Sequence, residues 1–88
     1  MRRKRQAATP WYVYLVRCGN GALYAGISTN VDKRVKAHNA GVGAKYTRAF
    51  GPVYLVYKRK MPSATAARKQ EALIKSWPKS RKERLVVS

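Results

Sequence analysis

Tyr24, Gly26, Arg34 and His38 all fall within the stretch LYAGISTNVDKRVKAH, residues 23–38. Arg34 and His38 are four positions apart, so a helix through them stacks a permanent cation and a titratable imidazole on one face, beside Val31 and Val35. A strand preceding that helix could present Tyr24 to the same place. An imidazole titrating near about 6.5 is the easier proton acceptor at neutral pH, while a phenol near about 10 serves only if a neighbouring cation lowers it. Far along the chain Glu71, one of only three acidic residues, lies one helical turn before Lys75. A fixed cation, a proton acceptor, phenols and a lone carboxylate are the parts of charge stabilisation and proton transfer.

Plainer roles are open to each of them. Tyrosines in strands commonly pack half-buried with the hydroxyl satisfied. His38 near a helix end can complement the helix dipole, worth about 0.3–1 kcal/mol when charged. Glu71 can be the i,i+4 partner of Lys75, worth a few tenths of a kcal/mol.

The elements that would position these residues are legible. WYVYLVR (11–17) and LYAGIS (23–28) are rich in β-branched and aromatic residues, and CGNG between them supplies a turn, so a hairpin is expected. Trp11, Val13 and Leu15 alternate with Tyr12, Tyr14 and Val16, which gives the first strand two apolar faces and calls for a sheet covered on both sides. A Ser-Thr-Asn cluster can cap a helix over about 30–39 that Gly41 ends. GVGAKYTRAFG (41–51) reads as a basic loop in which Tyr46 either packs or touches a substrate, and PVYLVYKRK (52–60) as a third strand with a basic end. Ser63 can cap a second helix with Ala66, Gln70, Leu73 and Trp77 at helical spacing, and Pro78 precedes a last helix over roughly 79–86. The fold class is α/β: a small central three-stranded, mainly antiparallel sheet flanked by helices, in the order β-β-α-β-α-α.

Eighty-eight residues allow one compact domain, assigned here to 11–88, behind a flexible basic arm at 1–10 that starts MRRKR. Twenty Lys and Arg against three Asp and Glu give a formal net charge of +17, which is self-repelling unless a polyanion is the usual neighbour. Nucleic acid fits that requirement. A membrane surface fits it worse, because the chain has no long apolar run and no basic amphipathic helix with a bulky apolar face. The basic start is not followed by the apolar stretch of a secretory signal, and Cys18 is the single cysteine, so a cytoplasmic, reducing location is expected.

Taken in order, these residues resemble the GIY-YIG nuclease domains. Tyr12-Val13-Tyr14 stands in the place of the first triplet and Tyr24-Ala25-Gly26 in the place of the second, with Tyr14 and Tyr24 ten positions apart. The similarity continues through Arg34 and His38, the segment GAKYTR (43–48), the strand VYLVY and Glu71, and covers about 11–86. Tyr12 stands where the family usually has glycine and Ala25 where it usually has isoleucine. The asparagines, Asn20, Asn30 and Asn39, all precede Glu71, whereas many catalytic members carry one after the glutamate.

What the resemblance implies is a phosphodiesterase that uses one divalent cation, Mg²⁺ or Mn²⁺, and leaves a 5′-phosphate and a 3′-hydroxyl. Glu71 would hold the metal, Arg34 would contact the scissile phosphate, and Tyr14, Tyr24 and His38 would activate and orient the attacking water, with His38 favoured as proton acceptor. A cation and an Arg fork are a rational minimum for the charge that such a displacement builds. DNA is the implied substrate, in repair or recombination. A domain of this size has no room for a sequence reader, so branched, flap or single-stranded shapes are expected rather than a specific duplex sequence. Two alternatives stay open: a non-catalytic nucleic-acid binding module on the same scaffold, and a basic RNA- or ribosome-associated protein.

Overall fold

The computed structural model describes residues 9–40 and 52–87. The expected basic arm therefore lies outside the described residues up to position 8, as do Gly41, Tyr46 and the rest of the expected loop at 41–51. The elements run β1 (Trp11–Arg17), β2 (Leu23–Ser28), α1 (Val31–Asn39), β3 (Tyr54–Met61), α2 (Ala64–Lys75) and α3 (Lys79–Val87), the expected β-β-α-β-α-α order. Both pairings of the sheet are antiparallel, in the spatial order β2-β1-β3.

β1 is central, and its continuous apolar run explains why. Val13, Tyr14, Leu15 and Val16 are all buried, which only a strand covered on both faces can manage. On one face Tyr14, Val16 and Cys18 pack with Val31 of α1 and with Val53. On the other, Val13, Leu15 and Ala25 pack with Ile74 of α2, and Trp77, Leu85 and Val86 close over them. Full burial of a side chain such as Ile74 stabilises the fold by about 1.5–3 kcal/mol.

The turn between β1 and β2 closes as its composition suggests. Gly21 N–H donates to the Cys18 carbonyl at 2.9 Å, Asn20 Oδ1 accepts from Ala22 N–H at 3.1 Å, and Gly21 sits at φ 87°, a backbone region that glycine enters without steric cost. At the far end of β1, the Arg17 fork donates to both oxygens of Glu83 at 2.7 Å and so ties the sheet to α3. That guanidinium holds the Glu83 carboxyl below its usual range.

Asn30 caps α1 by accepting from Lys33 N–H at 3.0 Å, and Ser63 caps α2 by accepting from Ala66 N–H at 3.1 Å. Ser63→Ala is expected to cost about 1 kcal/mol, a drop of about 4–8 °C in melting temperature for a domain of this size, read by circular dichroism. An unchanged melting curve would show that the cap contributes nothing.

Two expectations are corrected. β3 begins at Tyr54 rather than at Pro52, because Asn39 at the end of α1 takes both backbone groups of Val53: its Nδ2 donates to the Val53 carbonyl at 3.0 Å and its Oδ1 accepts from Val53 N–H at 2.6 Å. In α2 the fully buried positions are Ala67 and Ile74, whereas Leu73 is 49% exposed and Trp77 lies beyond the helix, which ends at Lys75. The small Ala67 side chain lets the helix approach the sheet closely, and that turns a neighbouring stripe inward.

Candidate active site

Tyr14 stands at the centre of β1, opposite Gly26 of β2. Its ring lies across the Gly26 backbone so closely that a Cβ there would fall 2.6 Å from Tyr14 Cζ. Only glycine admits that approach, and this is the physical reason for glycine at the end of YAG. The ring thereby directs its hydroxyl to α1, where it meets His38 Nε2 at 3.2 Å. Tyr24, on the same face of β2, sets its ring edge-on to the imidazole, with centroids 5.8 Å apart at 72°.

Tyr14 and His38 are each 1% exposed, so this pair is an interior one. Burial pushes the Tyr14 phenol up, partly offset by a hydrogen bond from Arg34 and by its charge. Burial also pushes His38 down, and the positive charge of Arg34 pushes the same way. At neutral pH the pair is a protonated phenol against a neutral imidazole. Arg34 itself is exposed, one turn before His38, and joins the buried pair to solvent.

The lowered His38 value has a consequence for stability. Unfolding returns the imidazole to its ordinary range, so below about 6.5 the unfolded chain binds more protons and stability falls with pH. The contribution is fully present above the unfolded value and is lost as pH falls through the folded one. The melting temperature of the wild type should therefore fall as the pH is lowered below about 6.5. In His38→Gln that slope should flatten, since His38 is the only histidine. Parallel pH–melting curves for the two proteins would contradict the buried, neutral imidazole.

The three carboxylates separate cleanly. Asp32 lies exposed in the first turn of α1, where it complements the helix dipole. Glu83 is occupied by the Arg17 fork and by Lys79 at 3.7 Å. Glu71, 24% exposed on α2, is 3.5 Å from its i,i+4 partner Lys75, and its charge is felt at the Tyr14 phenol. Lys75 also lies over the Tyr24 ring, 5.7 Å from its centroid. Among the described residues no group of three or more His, Cys, Asp or Glu could enclose a metal ion. One carboxylate at a solvent-facing position suits a hard cation that keeps most of its waters and is completed by substrate phosphate oxygens, as Mg²⁺ commonly is.

The five expected residues are thus brought near one another. Tyr14 and His38 are hydrogen-bonded, Arg34 lies close enough for its charge to act on both, Tyr24 abuts His38, and Glu71 reaches the group from the neighbouring helix through Lys75. Pattern reading did not find a depression of about 310 Å³ at the start of α1, lined by Ser28, Thr29, Asn30, Lys33, Arg34 and Ala37. The Ser-Thr-Asn cluster next to two cations was its signal, and it was read only as a helix cap.

Comparison with known proteins gives the family. A family model described as the GIY-YIG catalytic domain matches residues 10–84. The chain is similar to a UPF0213 protein of Natronomonas pharaonis, 48% identical and covering 90% of this chain and 93% of that one. It is also similar to a UPF0213 protein of Vibrio cholerae, 46% identical over 98% of this chain and 86% of the other. Among solved structures, the UPF0213 protein of Bacillus halodurans superposes with a TM-score of 0.57 at 42% identity, covering 89% of this chain and 83% of that one. A protein from E. faecalis gives 0.60 at 33% identity, covering 91% and 85%.

Proposed function

The chain belongs to the GIY-YIG catalytic domain family, and from that premise we propose that it is a metal-dependent DNA endonuclease that recognises the shape of its substrate. The observation that carries the reading is the buried Tyr14–His38 hydrogen bond, with the exposed cation of Arg34 on α1 and the half-buried carboxylate of Glu71 on α2 both acting on the Tyr14 phenol through their charges.

Arg34 is the residue for the scissile phosphate: an exposed guanidinium beside the buried pair offers a planar fork to phosphate oxygens. Tyr24, half-buried between His38 and Lys75, offers the phenol nearest to solvent for orienting the attacking water. His38 is buried and its Nε2 meets the Tyr14 hydroxyl, so a proton can reach it by way of that phenol. A neutral imidazole against the Tyr14 hydroxyl is in the right state to accept one. A divalent cation at Glu71 would supply Lewis-acid stabilisation of the phosphoryl oxygens. Lys75 would shift from the Glu71 carboxylate toward the negatively charged substrate.

The charge of +17 supplies affinity for the sugar–phosphate backbone, and the small domain favours branched, flap or single-stranded DNA inside the cell, in repair or recombination. The test uses the purified protein with plasmid, single-stranded and branched DNA in Mg²⁺, Mn²⁺ or EDTA. Cleavage with either metal and none in EDTA is expected. Salt-sensitive binding with no cleavage of any substrate in any condition would overturn the nuclease reading and leave a non-catalytic binding module.

A further inference from the structure

The basic end of β3, Lys58-Arg59-Lys60, is not used by the reaction described above. Its placement is set by an irregularity. Along most of β1 and β3 the partners advance together, with Trp11 opposite Met61, Tyr12 opposite Lys60, Val13 opposite Arg59, Tyr14 opposite Lys58 and Leu15 opposite Tyr57. Between Leu15 and Val16 the register shifts, so that Val16 faces Leu55 and Val56 is the extra residue of a bulge. A slip of one residue exchanges the faces of everything beyond it. Without the bulge, Tyr57 and Arg59 would stand opposite Tyr14 and Tyr12. With it, Lys58 and Lys60 do, while Arg59 shares the opposite face with Val13.

Residues directly opposite in an antiparallel pair share a face of the sheet. Two rows therefore cross it: Gly26–Tyr14–Lys58, and Ser28–Tyr12–Lys60. Lys58 and Lys60 are exposed, and the Lys58 ammonium lies over the Tyr12 ring, 5.2 Å from its centroid. At the other end of the second row, Ser28 lines the depression that also holds Lys33 and Arg34. Three strands at about 4.8 Å spacing make the crossing roughly 10 Å wide, the reach of about two or three nucleotide steps.

We propose that one DNA strand crosses the sheet at right angles to its strands, from the Lys33–Arg34 depression over Tyr12 to Lys58 and Lys60, whose ammonium groups hold the backbone phosphates on the β3 side of the scissile bond. The path rests on the nuclease reading for which phosphate is cut, and on the register alone for where the strand lies. The bulge is the device that aims both lysines at the strand.

The test is binding of a short oligothymidylate to Glu71→Gln protein across a salt series, with Lys58→Gln, Lys60→Gln and Arg59→Gln compared. All three remove one positive charge from one strand, so long-range attraction falls alike, and only the face differs. Each lysine variant should weaken binding about two- to fivefold and lower the salt slope by about 0.7. Arg59→Gln should leave the slope unchanged, and Lys58→Arg should restore it. Equal slopes for all three variants, or no change in the lysine variants, would overturn the path. Cleavage by the wild-type protein in Mg²⁺, measured alongside, keeps the two readings apart: cleavage with no lysine effect removes the path and leaves the nuclease. Lysine-dependent slopes with no cleavage leave the path and remove the nuclease.

Discussion

Glu71→Gln is expected to abolish metal-dependent cleavage, a fall of at least about 10³-fold, while leaving the melting temperature within a degree or two of wild type. Glutamine keeps the shape and removes the charge. Because no group of three or more His, Cys, Asp or Glu among the described residues could enclose a metal ion, no ligand cluster can take over its part in holding a cation. Loss of the roughly 4 kcal/mol of transition-state stabilisation that a bound metal supplies corresponds to that fall in rate. The fold should hardly notice, since Glu71 makes only a partly exposed pair with Lys75 at 3.5 Å, and such pairs contribute a few tenths of a kcal/mol. Glu83→Gln should behave in the opposite way. It breaks the bidentate contact with Arg17 that ties α3 to the sheet, so the melting temperature falls while cleavage survives in whatever protein remains folded. Cleavage by Glu71→Gln at near the wild-type rate would show that the metal, or the reaction, is elsewhere.

That contrast also marks how far the sequence could be read. The two triplets, ten residues apart, sit on strands whose alternation of apolar residues was plain, and Arg34 and His38 had to share a helical face. These are local periodicities, and local periodicity survives into three dimensions. Other features depend on contacts that no local pattern specifies. That Glu83 is held by the fold became visible only when Arg17 claimed it across 66 positions of sequence. The inward face of α2 was set by how closely Ala67 could approach the sheet rather than by which residues were largest. The start of β3 was displaced by the Asn39 amide acting as a substitute strand partner. The helical spacing of Arg34 and His38 does not show that His38 is buried; in the structure the Tyr14 hydroxyl and the Tyr24 ring meet it from the strands.

Gly26→Ala should destabilise the domain by about 2–5 kcal/mol, a large part of the about 5–15 kcal/mol available to a small protein. The new methyl would enter the Tyr14 ring, with Cζ at 2.6 Å. The ring cannot swing away, because its other side is packed against Val16, Val31 and Val53 in the core. Overpacking of this kind costs about 1–3 kcal/mol. Displacing the phenol adds the loss of its hydrogen bond to His38, which would leave a buried polar pair unsatisfied at about 1–3 kcal/mol. A double-mutant cycle with Tyr14→Val isolates the cause. Once the phenol is gone, alanine at position 26 should cost almost nothing, so the double variant should be far more stable than the sum of the two single losses predicts. Additive losses would mean that Gly26 matters for strand conformation and not for the close passage of Tyr14. Where enough Gly26→Ala protein folds to be assayed, cleavage should also fall, because the Tyr14–His38 contact on which the proposed reaction draws is displaced. The glycine of the second triplet is thus the space into which the phenol of the first triplet fits.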